Sequence, residues 1–248
     1  MRIAIVTDIH GNLTALEAVI ADLKRISPDV VLHGGDLADA GSSPIQVVDR
    51  VRDLDWQGVM GNTDEMLVRP DSLREFAEPR PHLQSLFAVV EEMAAATREA
   101  LGSERLVWLG DLPRSLVTGP ITLVHASPQS LWHAPEPETG DAELESIYTP
   151  LDKPFVIYGH IHRSFIRTMP GAHSASGLTV ANAGSVGLSY DGDPRASYLL
   201  LDDFEAVTAS IRRVEYDVEQ EIRSRLQCGL PHAGWIAKTL KTARPQMP

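Results

Sequence analysis

Cysteine is almost missing from this chain: Cys228 stands alone among 248 residues. A single thiol forbids an internal disulfide and fits a reducing compartment. Long apolar runs are missing as well, and none approaches the roughly 18 residues that a membrane-spanning helix needs. The N-terminal residues enter a strand pattern at once, leaving no room for a cleavable leader, so a cytoplasmic location is expected. Positive charge is short, with 22 Lys and Arg against 34 Asp and Glu and a formal net charge of −12. That balance argues against general nucleic-acid binding, because phosphate backbones are held by clustered lysine and arginine. It leaves room for a small phosphorylated substrate, provided a local site carries enough positive charge to outweigh the distant surface.

What is present is ordinary in bulk and particular in order. A hydrophobic fraction of 43% and a charged fraction of 23% are those of a globular protein. The length suits one large domain burying roughly 70–75% of its unfolded surface. Residues 2–7 read as a strand, and Leu13, Leu16, Val19, Ile20, Leu23 and Ile26 then recur at helical spacing, with Asn12 as N-cap. Val30-Val31-Leu32 is a second short strand. Ser43-Pro44 opens a helix whose apolar face is Ile45, Val48, Val51 and Leu54, and Val59-Met60 ends a third strand. This is a βαβαβ unit with parallel strands.

Residues 64–113, rich in Glu, Arg, Ala and Leu, read as two or three helices forming a cap or insertion beside the site. From Ser115 the pattern turns to strands at 115–118, 121–125, 155–159, 163–168, 178–182, 197–202 and 205–214, with short helices near 141–147 and 218–226. The Pro-bearing tail from Ala243 reads as loose. Strands in both halves with helices outside predict two sheets packed face to face.

The chemistry sits where those strands end. Asp8-Ile9-His10 follows the first apolar run, and Gly35-Asp36 and Gly61-Asn62 follow the second and third. His125 and Gly159-His160-Ile161-His162 follow two more. Alone, each has a bland explanation: Asp-x-His as hydrogen-bonded scaffolding, Gly-Asp and Gly-Asn as turns, a lone histidine as packing. Together they put seven oxygen and nitrogen donors at five strand ends, the crevice edge where open α/β sheets place their chemistry. That donor set suits two divalent ions of borderline hardness. Asp36 is the candidate to bridge them, with Gly35 permitting the sharp turn before it.

In this order the motifs resemble those of the calcineurin-like metallophosphoesterases, marked by D-x-H, G-D, G-N, a lone His and G-H-x-H. The resemblance runs over nearly the whole chain. The segments Asn182-Ala183-Gly184-Ser185-Val186-Gly187 and Asp193-Pro194-Arg195-Ala196-Ser197-Tyr198 resemble a bacterial subgroup that includes small phosphodiesterases. The resemblance implies an α/β fold, a four-layer αββα sandwich of two mixed sheets. It implies two divalent metal ions, manganese foremost, with iron, zinc, cobalt or nickel as alternatives. One ion would take Asp8, His10, His162 and the shared Asp36; the other would take Asp36, Asn62, His125 and His160. The nucleophile so implied is a hydroxide between the ions, attacking phosphorus in line.

One position departs from the pattern. Many members read Gly-Asn-His-Asp or Gly-Asn-His-Glu, and this chain reads Gly61-Asn62-Thr63-Asp64. Thr63 cannot be a general acid at neutral pH, which favours diesters with good leaving groups. Asp64 and His133 are the candidates for the missing proton donor, with helix capping and a loop position as their plainer roles. Asp39, Asn182, Ser185 and Arg195 are candidates to orient ligands or clamp a phosphate, against roles in turns or at the surface. His33 is expected to be packed or to support a ligand. Hydrolysis of a dinucleoside polyphosphate or cyclic nucleotide is the alternative, for which Trp132 or Tyr190 would be the base-stacking ring. A metal-free scaffold of the same fold is the non-catalytic rival.

Overall fold

The computed structural model describes residues 1–170, 177–202 and 208–248. Two five-stranded sheets lie face to face. In the first, β1 (Ile3–Val6) runs parallel to β2 (Val30–His33), which runs parallel to the two-residue β3 (Gln57–Gly58). On its other side β1 pairs antiparallel with β9 (Ala196–Asp202), and β9 with β10 (Thr208–Val214). The second sheet carries β5 (Ile121–Val124), β6 (Phe155–Tyr158) and β8 (Leu178–Asn182) in parallel. Antiparallel β4 (Ser115–Thr118) and β7 (Phe165–Met169) form its edges.

Alternation along each strand explains the layers. Ile3, Ile5, Leu32, Leu199 and Leu201 meet Ile121, Leu123, Ile157 and Ala181 between the sheets. Ala4, Val6, Tyr198 and Leu200 face the other way, toward helices. A strand covered on both faces must be apolar throughout, and all four residues of β1 are buried.

The helices over the first sheet include α1 (Leu13–Ile26) and α2 (Pro44–Asp53). The Asn12 side chain caps α1 by accepting from the Ala15 N–H at 2.9 Å. Ser43 makes no side-chain cap, and Pro44 is the first residue of α2. The outer face of the second sheet is thinner: Leu144 and Tyr148 of α6 (Asp141–Tyr148) pack there on Val124, Val156 and Val180.

The helical segment is α3 (Asn62–Val68), α4 (Asp71–Ala77) and α5 (Gln84–Gly110), the last broken at Gly102, where φ is 71°. It starts inside the Gly-Asn motif, two residues earlier than the sequence suggests. Ala94, Leu101 and Leu109 of α5 enter the same core as α1 and α2, so the segment belongs to the helical layer of the first sheet.

The C-terminal region differs most from expectation. After α7 (Val218–Gln227) comes α8 (Ala233–Thr242), whose Ile236 and Leu240 pack on Ala40, Met93 and Leu188. The tail is tied down: the Ala243 carbonyl accepts from Gly192 at 2.8 Å, and the Gln246 carbonyl from the Trp235 indole at 2.8 Å. The strand expected from residue 205 is seen from Thr208, and 205–207 lie outside the described residues. No helix among the described residues is long and apolar enough to cross a membrane.

Candidate metal centre

Parallel strands aim their C-terminal ends the same way, so β1, β2 and β3 deliver Asp8, Asp36 and Asn62 to one edge of the first sheet. β5 and β6 deliver His125 and His160 to the matching edge of the second. Ligand atoms of Asp8, His10, Asp36 and His162 all lie within 4.8 Å of one another, and all four residues are buried. His10 Nε2 and His162 Nε2 stand 3.0 Å apart, and His162 Nε2 is 3.2 Å from Asp8 Oδ1. In a second group, Asn62 Oδ1 is 2.9 Å from His125 Nε2 and 2.8 Å from His160 Nδ1. Asp36 joins the two: its Oδ2 lies 3.6 Å from His10 Nε2 and 3.5 Å from His125 Nε2. Its Oδ1 accepts from the Thr63 N–H at 2.8 Å.

The rings are oriented from behind. A carbonyl oxygen can only accept, so the ring nitrogen facing it must carry hydrogen. His10 Nδ1 donates to the Asp39 carbonyl at 2.9 Å, His125 Nδ1 to Gly34 at 2.8 Å and His162 Nδ1 to Leu188 at 2.5 Å. Each Nε2 is thereby turned inward as an electron-pair donor. Two such nitrogens 3.0 Å apart, and a third facing Asn62 and Asp36 oxygens, repel unless a cation lies among them. That cation is a proton or a metal ion, and carbonyl-anchored imidazoles are the usual companions of a metal. Burial, and then the neighbouring His162, hold His10 below its ordinary pKa; burial and then His125 push His160 down to about 3. At His125 burial acts in the same direction, but Asp36 and Asp8 outweigh it and raise the pKa. Burial pushes Asp8 upward, yet the facing histidines, His162 first, hold it well below the carboxylate range. The donor set fits divalent ions of intermediate hardness.

Backbone strain marks the same residues. Asp8, His10, Asp36, His160 and His162 all have φ between 50° and 67°, where a side chain crowds its own carbonyl. Such outliers gather where surrounding structure over-determines them. Thr7 Oγ1 donates to Asp8 Oδ2 at 2.7 Å, and the His160 N–H donates to the same oxygen at 3.0 Å. Ser185 Oγ donates to the Asp8 carbonyl at 2.7 Å, and the Asn182 amide donates to the Gly159 carbonyl. Asn182 and Ser185 thus fasten the loops that carry the donors.

The other candidates fall in different places. Asp64 is fully buried with both oxygens engaged by backbone: Oδ2 accepts from Asp36 and Gly61, Oδ1 from Leu37. Burial, and then Asp36, push its pKa up to about 6, while the three backbone N–H donors favour the carboxylate, which ties the Gly-Asp loop to the Gly-Asn loop. His133 is exposed; its Nε2 is 2.8 Å from Arg80 Nη2 and its Nδ1 3.2 Å from Ser130 Oγ, with no hydrogen bond or ring contact to the seven donors. Asp39 supports His10 through its carbonyl, while its carboxylate takes the Thr97 hydroxyl. Arg195 is an exposed partner of Asp193. His33 is packed, with neither ring nitrogen bonded. The supports that sequence reading missed are carbonyls, at Gly34, Asp39 and Leu188, which leave no trace in side-chain identity.

This assembly, two sheets whose strand ends converge on paired Asp and His clusters, is that of a metallophosphoesterase. Residues 1–204 match the Calcineurin-like phosphoesterase superfamily domain, and the chain belongs to that superfamily. A metallophosphoesterase from Sphaerobacter thermophilus is similar in structure, with a TM-score of 0.79 and 29% identity over 98% of this chain and 99% of that one. The hypothetical protein PH1004 from Pyrococcus horikoshii superposes with a TM-score of 0.81 at 19% identity, covering 99% of both chains, a likeness of fold. The uncharacterized protein MJ0912 of Methanocaldococcus jannaschii is 28% identical over 98% of each chain. All three likenesses run on past residue 204.

Proposed function

We propose that the protein is a dinuclear metal-dependent phosphodiesterase acting on a small phosphorylated substrate, with manganese as the first metal to test. The carrying observation is Asp36 Oδ2, which faces an imidazole nitrogen of each cluster at 3.5–3.6 Å. One carboxylate oxygen so placed suits a bridge between ions about 3.5–4 Å apart. Asp8, His10 and His162 would hold one ion, and Asn62, His125 and His160 the other. When bound, such ions neutralise phosphoryl oxygens and lower the pKa of water.

The chain's own part is placement. The carbonyl-anchored rings keep their electron pairs aimed inward, and Asn62 contributes no charge, so the site stays positive enough for an anion once loaded. Thr63 offers no acid, Asp64 has both oxygens engaged, and His133 pairs with Arg80. A site with no imidazole acid suits diesters whose leaving groups depart unaided. For the nucleotide alternative, neither candidate ring is a free platform: Trp132 stacks on Phe76 at 4.8 Å, and Tyr190 on His162 at 4.3 Å.

The test compares a bis-aryl phosphate with the matching aryl monoester in manganese, with Asp36→Asn as control. Diester turnover that needs manganese and falls about a hundredfold or more in Asp36→Asn is expected, since one substitution disturbs both ions. A preference for the monoester would overturn the argument from Thr63. Turnover that survives chelation or Asp36→Asn would overturn the metal mechanism.

A further inference from the structure

The loop between β8 and β9 brings a phenol to the first cluster. The Tyr190 N–H donates to the His162 carbonyl at 3.1 Å, and its ring stacks on the His162 imidazole with centroids 4.3 Å apart and planes 24° apart. The ring also packs against the cluster of Ala40, Met93, Leu188, Ile236 and Leu240, which fixes its position. Its hydroxyl has no hydrogen-bond partner among the described residues. Unlike the hydroxyl of Thr63, it is not among the enclosed orphan groups, so it remains open to a ligand. An unpartnered O–H on a ring stacked against a candidate metal ligand is suited to donate to an anionic oxygen.

We propose that the Tyr190 hydroxyl donates a hydrogen bond to a phosphoryl oxygen of the substrate at the Asp8–His10–His162 side of the centre. This assignment rests on the phosphoesterase proposal and gives Tyr190 a binding role in place of base stacking. A hydrogen bond to a charged group contributes about 1.5–3 kcal/mol, or about tenfold or more in affinity.

The experiment compares manganese-loaded wild type with Tyr190→Phe, which keeps the stacked ring and removes only the hydroxyl. Metal content, calorimetric affinity for inorganic phosphate and kcat/KM on a bis-aryl phosphate are measured for both. Unchanged metal content, with phosphate affinity and kcat/KM each lowered about tenfold, is the expected result. Phosphate affinity within about twofold of wild type would overturn the assignment. So would loss of metal in step with affinity, which would mean that the residue acts through His162. A metal-loaded wild type that neither binds phosphate nor cleaves an ester would overturn the phosphoesterase proposal itself.

Discussion

Asp64 illustrates how much of this site is held by groups that do no chemistry. Five of the seven donors sit in the left-handed backbone region, at about 1–2 kcal/mol each for a non-glycine residue. The Asp64 carboxylate offsets part of that cost by gathering the N–H groups of Asp36, Leu37 and Gly61. Asp64→Asn would turn an amide N–H₂ toward backbone donors. We expect a loss of about 2 kcal/mol in urea unfolding, together with weaker metal binding. A proton-donor role would instead leave stability intact and lower only kcat. His33 is the second telling residue. It is buried with neither ring nitrogen hydrogen-bonded, and burial pushes its pKa down to about 4 from an ordinary 6.5. Because the unfolded chain takes up this proton first, the stability His33 contributes is full above pH 6.5 and is lost as pH falls toward 4. The metal-free wild type should therefore lose about 2 kcal/mol more between pH 7 and pH 5 than His33→Phe does. Parallel pH profiles from urea melts would contradict this.

At the scale of elements, strands and donors were legible because their signals are local. Apolar runs marked β1, β2, β5 and β6, and each donor follows its run within a few residues. The helix-capping role of Asp64 is local and legible, since its Oδ2 accepts from the Gly61 N–H at the start of α3, whereas its engagement by Leu37 and Asp36 is a long-range contact. The helix α8 and the tail after Ala243 went unread for a similar reason. Proline near the end suggests looseness, while what orders the segment is burial of Ile236 and Leu240 against Ala40 and Leu188. That helix also supports the centre from a distance, since Leu188 lends its carbonyl to His162 Nδ1 and Tyr190 packs beside it. Leu240→Ala should destabilise the fold by about 2–4 kcal/mol, as buried leucine truncations do. It should also weaken the metal cluster containing His162 more than the one containing His125, which stepwise metal titration can resolve. Equal weakening of both would contradict the support route.

For the whole molecule, the two sheets matter because neither carries a complete donor set. Asp8, His10, Asp36 and Asn62 follow strands of the first sheet, and His125, His160 and His162 follow strands of the second. Bound ions would therefore cross-link the sheets, and the loaded protein should unfold at a higher temperature than the chelated one. The inter-sheet layer of Ile3, Ile5, Leu123 and Ile157 holds the two edges together. The most direct test of the dinuclear centre is the number of manganese ions retained per chain by metal-depleted, then reloaded and desalted, wild type. Two ions per chain are predicted, falling below two in Asp36→Asn because one carboxylate serves both. Retention of one ion or none by the wild type would contradict the account.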